Sequence, residues 1–233
     1  MSAVMLRTEN LSKGFTLHLR GGVHIPVLSG VDLVVHAGEC VVLAGPSGAG
    51  KSTLMRSLYA NYRTQGGRIL IRHHGEMVDI VAADPRIVLA VRRETLGYVS
   101  QFLRVVPRVP ALDIVAEVLT SRGTAVEEAR RRATDMLLRL NIPRRLHAIP
   151  PATFSGGEQQ RVNLARGLIA GYPMLLLDEP TASLDAGNRA VVVGMVHEAK
   201  ARGTAIVAIC HDADVRDAIA DRLFSLEPLQ DAA

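Results

Sequence analysis

The sequence predicts an α/β fold on a mostly parallel sheet, with an N-terminal antiparallel β subdomain and an inserted helical subdomain. Three observations carry this. Compact apolar runs at Glu39 to Ala44, Met174 to Leu177 and Thr204 to Cys210 alternate with helix-forming stretches, as strands buried on both faces do. The first run opens directly into a glycine-rich loop and a helix. From about Phe102 to Ala170 the periodicity turns helical and interrupts the alternation.

The elements follow in order. Val4 to Val35 alternates apolar and polar residues in short runs punctuated by Gly21-Gly22 and Pro26, which predicts antiparallel strands. A strand over Glu39 to Ala44 and a helix over Lys51 to Tyr59 come next. Arg68 to Arg72 and Met77 to Val81 read as a hairpin around His74-Gly75, and Asp84-Pro85 supplies an N-cap and first-turn proline for a helix to about Arg93. In the helical region Thr124 and Glu127 form a candidate capping box ahead of Val126, Ala129, Ala133, Leu137 and Leu140. Glu127 with Arg131 and Glu128 with Arg132 are i,i+4 pairs on its solvated face. The strand Met174 to Leu177, a helix around Arg189 to Ala201, the strand Thr204 to Cys210 and a last strand near Leu223 to Leu226 complete the pattern. One domain over 1–233 is expected, with 1–100 and 171–233 as core and antiparallel β region and about 101–170 as the helical subdomain.

With 233 residues, 48% of them hydrophobic, the chain has enough apolar surface for one large domain with an insertion. A net charge of +4, spread without basic clusters interleaved with aromatics, argues against nucleic acid as a partner. Lysine occurs only at Lys13, Lys51 and Lys200, so the lysine in the glycine loop stands out. Cys40 and Cys210 fall in predicted buried strands, where cysteine behaves as a small hydrophobe, and a reducing compartment is expected. No run approaches the roughly 20 apolar residues of a membrane span, and Met1 to Asn10 lacks a signal-peptide core. The expectation is a cytoplasmic chain with no direct membrane insertion, free to dock on a membrane protein. His73-His74 sits at the predicted hairpin tip with no thiol or acidic ligand at suitable spacing, which argues against a metal there.

Gly45-Pro46-Ser47-Gly48-Ala49-Gly50-Lys51-Ser52, followed by Thr53, matches the phosphate-binding P-loop in the strand-loop-helix context that pattern needs. Glycines let successive N–H groups turn toward one anion, the helix N-terminus adds its dipole, and Lys51 supplies a point charge for the β- and γ-phosphates of ATP. Ser52 is placed to ligate Mg2+. Asp178 and Glu179 end a predicted buried strand, where ligands of open α/β sheets gather. Asp178 suits the Mg2+ shell, and Glu179 suits orienting and deprotonating a water. Phe154-Ser155-Gly156-Gly157-Glu158-Gln159-Gln160-Arg161 opens another helix; taken alone it reads as a capping box of Ser155 with Glu158.

Lying just upstream of the Asp178-Glu179 strand, this last segment resembles the signature motif of the ATP-binding cassette (ABC) ATPases, with Phe154 for the usual leucine and Glu158 for the commoner glutamine. The resemblance covers essentially the whole chain. It implies that Gln101 is the Q-loop glutamine that senses Mg2+ and the reacting phosphate, that Ser183-Leu184-Asp185 is the D-loop, that His211 is the switch histidine, and that Phe15 stacks on adenine in place of a tyrosine. It further implies a head-to-tail homodimer formed on ATP binding, in which Ser155, Gly156, Gly157 and Glu158 of one chain face the nucleotide held by the other. Ser155 and the N–H groups near Gly157 make a second anion site that fits this arrangement.

Four segments narrow the resemblance: Leu17-His18-Leu19 with Val27-Leu28, Arg56 to Tyr62, Gln101 to Arg108, and Pro151 to Glu158. They look like the PhnL-type ATPases of the phosphonate carbon-phosphorus lyase system. That resemblance implies other lyase subunits as partners, including a second ABC-type subunit, and support for forming α-D-ribose 1-methylphosphonate 5-triphosphate from ATP and methylphosphonate. Arg104 and Arg108 lie where such ATPases touch a partner. The rival reading is the cytoplasmic ATPase of an ABC transporter of the lipoprotein or macrolide exporter type, which also carries Ser-Gly-Gly-Glu-Gln-Gln-Arg.

Overall fold

Alternation within the central strands decides the layering. In β4 (Cys40–Ala44), Cys40 and Val42 enter one core while Val41 and Leu43 enter another. β8 (Met174–Asp178) and β9 (Ala205–Ile209) divide in the same way, with Leu175, Leu177, Ile206 and Ala208 on the first side. Strands apolar on both faces must be covered on both faces, and they are. A computed structural model describes residues 2–17, 22–103 and 107–229.

The parallel sheet runs β10-β4-β9-β8-β7, where β7 is Leu96–Val99 and β10 is Arg222–Ser225. The antiparallel sheet runs β2-β1-β5-β6, with a short β3 (Val34–His36) also on β1. Here β1 is Val4–Leu17, β2 Val23–Val31, β5 Gly66–His73 and β6 Glu76–Asp79. Helix α1 (Lys51–Leu58) sends Leu54, Met55 and Leu58 into the core between the two sheets. Asp84 caps α2 (Pro85–Glu94) by accepting from the Arg86 amide, as expected.

Between β7 and β8 lie α3 (Ala111–Thr120), α4 (Val126–Arg139), α5 (Arg144–His147), a 3-10 turn and α6 (Gly156–Leu168). This is the architecture expected from the sequence: α/β on a parallel sheet, antiparallel at its N-terminal end, with helices inserted before β8.

Three local expectations are corrected. The capping box at Thr124 is not formed, because α4 starts after Ala125 without a side-chain cap, and Val126 is exposed. The ion pairs on α4 differ in register: Arg131 bonds Glu128 three residues back and Asp135 four ahead, while Arg132 turns to the Ile169 carbonyl. The sequence pattern also passed over β7, whose short run is interrupted by Gly97, and the helix α8 (Ala213–Ile219), which is shorter than the window in which helical periodicity registers. α7 (Ala186–Ala201) is capped by Asp185 and begins before the expected Arg189. Both cysteines are free thiols, and burial pushes Cys210 up to about 12.

Candidate functional site

The C-terminal ends of β4, β7, β8 and β9 bring the site together. β4 ends at Ala44, and the glycine loop turns from there into α1, whose N-cap Gly50 has φ +90°. Gly45 is required by close approach, since its φ is +135° and a Cβ there would collide with the Leu226 carbonyl. The Lys51 ammonium donates to the Gly45 and Pro46 carbonyls at 2.7 and 2.9 Å, which curls the side chain back along the loop. Pro46, Ser47, Gly48 and Ser52 are exposed, Thr53 is half-buried and Ala49 packs inward. The loop is thus largely exposed at a helix start, the place where backbone N–H groups lack intrahelical partners and favour an anion.

Two strands away, β8 delivers Asp178 and Glu179. Asp178 is 4% exposed, and burial pushes its carboxyl up, offset by a hydrogen bond from the Tyr98 hydroxyl to Oδ2 at 3.0 Å. Glu179 follows in a turn with φ +52°. Its Oε2 accepts from Gln101 Nε2 at 3.1 Å, and its Oε1 lies 3.1 Å from His211 Nε2. Gln101, Glu179 and His211, which the sequence singles out separately, therefore meet around one carboxylate. The exposed Ser52 hydroxyl, the Gln101 amide and the Asp178 carboxylate are hard oxygen donors of the kind Mg2+ takes, so the residues present fit that ion.

Ser155 caps α6 in a complete capping box: Glu158 N donates to its Oγ at 3.3 Å, and Glu158 Oε2 accepts from Ser155 N at 2.9 Å. Gly156 faces open space. Gly157 does not, because a Cβ there would lie 2.8 Å from the Ser183 carbonyl. Asp185 accepts from the Asn188 amide at 2.8 Å, which caps the start of α7. The Phe15 ring packs edge-on against Tyr62 with Lys13 Nζ 4.6 Å above it.

Sequence reasoning missed the residues that tie these pieces together. Gln160 donates to the Glu179 and Pro180 carbonyls at 3.3 and 3.2 Å, and Asn163 to the Ser100 carbonyl at 2.6 Å. α6 is thereby fixed to both the Glu179 turn and the Gln101 loop. Arg189 bonds the Leu184 carbonyl and Asp212, joining the turn before α7 to the segment that follows His211. Tyr98 stands three residues ahead of Gln101, yet no local pattern pairs it with a carboxylate 80 residues away.

Beside Gln101 a groove of about 490 Å³ opens to the surface, with Asp178 and Gln101 in its lining and Arg56, Tyr59, Arg166 and Phe102 along it. Phe102 is 72% exposed at its rim. Of the two arginines expected to meet a partner, Arg108 is exposed at φ +70°; Arg104 lies outside the described residues. Among the described residues no helix is long and apolar enough to cross a membrane.

Comparison with known proteins places these features in a family. Residues 28–182 match the family model described as ABC transporter. The chain is 35% identical over 215 residues to the macrolide export ATP-binding/permease protein MacB of Wolinella succinogenes, covering 92% of this chain and 32% of that protein. It is 33% identical over 211 residues to YvrO of Bacillus subtilis, an uncharacterized ABC transporter ATP-binding protein, covering 91% of this chain and 89% of YvrO. It is 39% identical over 198 residues to the pyoverdine export ATP-binding/permease protein PvdT of Pseudomonas putida, covering 84% and 30%. The chain thus spans about a third of the length of the export proteins it matches. Among solved structures, the ATP-binding cassette MJ0796, a dimer in a post-hydrolysis state bound to ADP and Pi, superposes with a TM-score of 0.87 at 28% identity over 97% of each chain.

These relatives overturn the expected phosphonate role. MacB and PvdT are named as export ATP-binding/permease proteins and YvrO as an ABC transporter ATP-binding protein, so the PhnL-type assignment, its lyase partners and ribose 1-methylphosphonate 5-triphosphate formation do not hold. Two of the four segments meet in the groove, Arg56, Tyr59, Asn61 and Tyr62 from one and Gln101 and Phe102 from another. With its glycine loop, its Glu179 cluster and its capped α6 in the family's order, the chain belongs to the ABC transporter family as an ABC ATPase domain.

Proposed function

We propose that this chain is the ATP-hydrolysing unit of an ABC exporter, working on the cytoplasmic face of a membrane partner. The observation that carries the reading is the link from Glu179 through Gln101 to the groove beside Phe102. A shift of Gln101 driven by a docked partner would act directly on the Glu179 carboxylate it bonds. Relatives named as export ATP-binding/permease proteins support a membrane partner.

In this reading residues 45 to 53 hold the ATP phosphates, Lys51 leaving its loop carbonyls for the β- and γ-oxygens, and Phe15 stacks on adenine. Ser52, Gln101 and Asp178 would hold Mg2+, which when bound offsets phosphate charge. Glu179 orients and deprotonates the attacking water while His211 bonds the γ-phosphate. Ser155, Gly156, Gly157 and Glu158 of a second copy close over the nucleotide, with Asp185 at the same interface. The dimeric state of MJ0796 supports this head-to-tail homodimer. The division of 1–233 into a core and a helical subdomain of about 101–170 belongs to the same proposal.

Glu179→Gln tests it. The variant should keep ATP binding, lose turnover by about 100-fold or more, and accumulate as an ATP-bound dimer that captures an integral membrane protein from detergent extracts of its own cells. Unchanged turnover would remove Glu179 as the base; capture of soluble proteins alone would end the exporter reading.

A further inference from the structure

A second cluster of potential ligands stands apart from the nucleotide site, where β5 turns into β6. Neighbouring side chains on a strand point to opposite faces. His74, however, sits at φ +50° and is followed by Gly75 at φ +89°, and this tight turn brings the His73 and His74 rings to 4.0 Å between centroids. The last residue of α2, Glu94, completes the group: its Oε2 lies 2.8 Å from His74 Nε2. One ligand atom from each of the three residues lies within 4.8 Å of the others. The sequence argument against a metal rested on the lack of an acidic ligand near the histidines, and packing of α2 supplies one.

From this geometry we infer that His73, His74 and Glu94 form a binding site for a divalent transition-metal ion of the zinc class. Two imidazole nitrogens and one carboxylate oxygen are a donor set that zinc takes up readily, leaving a fourth position for water. Mg2+ and Ca2+ prefer all-oxygen shells. The surroundings orient the ligands: His73 Nδ1 lies 2.6 Å from the hydroxyl of buried Thr95, and Arg93 Nε donates to Glu94 Oε1 at 3.0 Å, opposite the oxygen that faces His74. Partners of this kind fix the ring and carboxylate of a metal ligand. His74 is well exposed, so its ring has room to turn toward an ion.

A bound ion would clip the β5–β6 turn to the end of α2, which runs through Thr95 into β7 and on to Gln101. The test is titration of the untagged, EDTA-dialysed full chain with Zn2+ by calorimetry, alongside His74→Ala, Glu94→Gln and His211→Ala. Wild type should bind one tight equivalent, weakened at least about tenfold in His74→Ala and Glu94→Gln and unchanged in His211→Ala. Absence of a tight equivalent, or its loss in His211→Ala alone, would overturn the site. Since ATP turnover in EDTA-treated Mg2+ buffer should be the same in His74→Ala as in wild type, failure of this site leaves the proposed ATPase role untouched.

Discussion

The Tyr98 hydroxyl donates to Asp178 Oδ2 across 3.0 Å, joining a residue in the lining of the surface groove to a buried carboxylate at the end of β8. The two side chains sit on adjacent parallel strands, with Tyr98 level with Leu176 in the register. If Asp178 holds Mg2+ as proposed, Tyr98 positions that carboxylate and keeps one oxygen occupied. Tyr98→Phe withdraws a bond to a buried charged group, a change worth about 1–3 kcal/mol. The half-saturating Mg2+ concentration for ATP turnover should rise about tenfold, while ATP affinity measured in EDTA stays the same. An equal Mg2+ requirement in both proteins would show that the bond does not tune the metal ligand.

The start of α6 packs against the Ser183 turn through Gly157, which has no side chain to hold the two apart. Gly157→Ala places a Cβ at 2.8 Å from a backbone oxygen, and neither partner is a flexible side chain that can give way. Ser183, held at φ +63°, has little freedom to relax. Turnover should fall about ten- to hundredfold through misplacement of the signature turn. ATP binding by the monomer, followed with a fluorescent analogue, should not change, because the glycine loop lies elsewhere.

Glu39 links the two sheets and gives a pH prediction. Its Oε1 accepts from Arg222 Nε of β10 at 3.0 Å, and its Oε2 from the His36 amide of β3 at 2.8 Å. Burial alone would raise its pKa, but the His36 amide and the Arg222 guanidinium outweigh that and hold the carboxyl below its ordinary value. A depressed acid stabilises the fold above its unfolded pKa, and that stabilisation is lost as pH falls through the folded pKa. Wild-type stability should therefore decline on the acid side between those two values. Denaturant titrations of Glu39→Gln from neutral pH downward should show a lower plateau and a shallower decline; parallel curves would mean that Glu39 contributes nothing to acid sensitivity.

Most of the strands and the phosphate loop were legible because each is written in contiguous residues. Cys40 to Ala44 reads as a strand without reference to anything else, and Asp84-Pro85 announces the start of α2 by its own capping chemistry. Thr124 was misread for the converse reason. A capping box is one of several local solutions, and packing of α4 through Ala129, Ala133 and Leu137 set the helix start one residue later, where no side chain caps it. The charge pairs on α4 slipped register in the same way, since long exposed side chains choose among neighbours at little cost.

By itself the sequence determined the local chemistry: a glycine loop with a rare lysine, two carboxylates ending an apolar strand, a serine-capped helix and strands apolar on both faces. Only the tertiary structure decided which of these meet. Gln101 reaches Glu179 across 78 residues, Tyr98 reaches Asp178 across 80, and Glu94 reaches His74 across 20. Periodicity and capping act over a turn or a strand, so neighbours in the chain specify them. Contacts between distant side chains depend on strand order, register and helix docking, which are settled only when the whole core is buried at once.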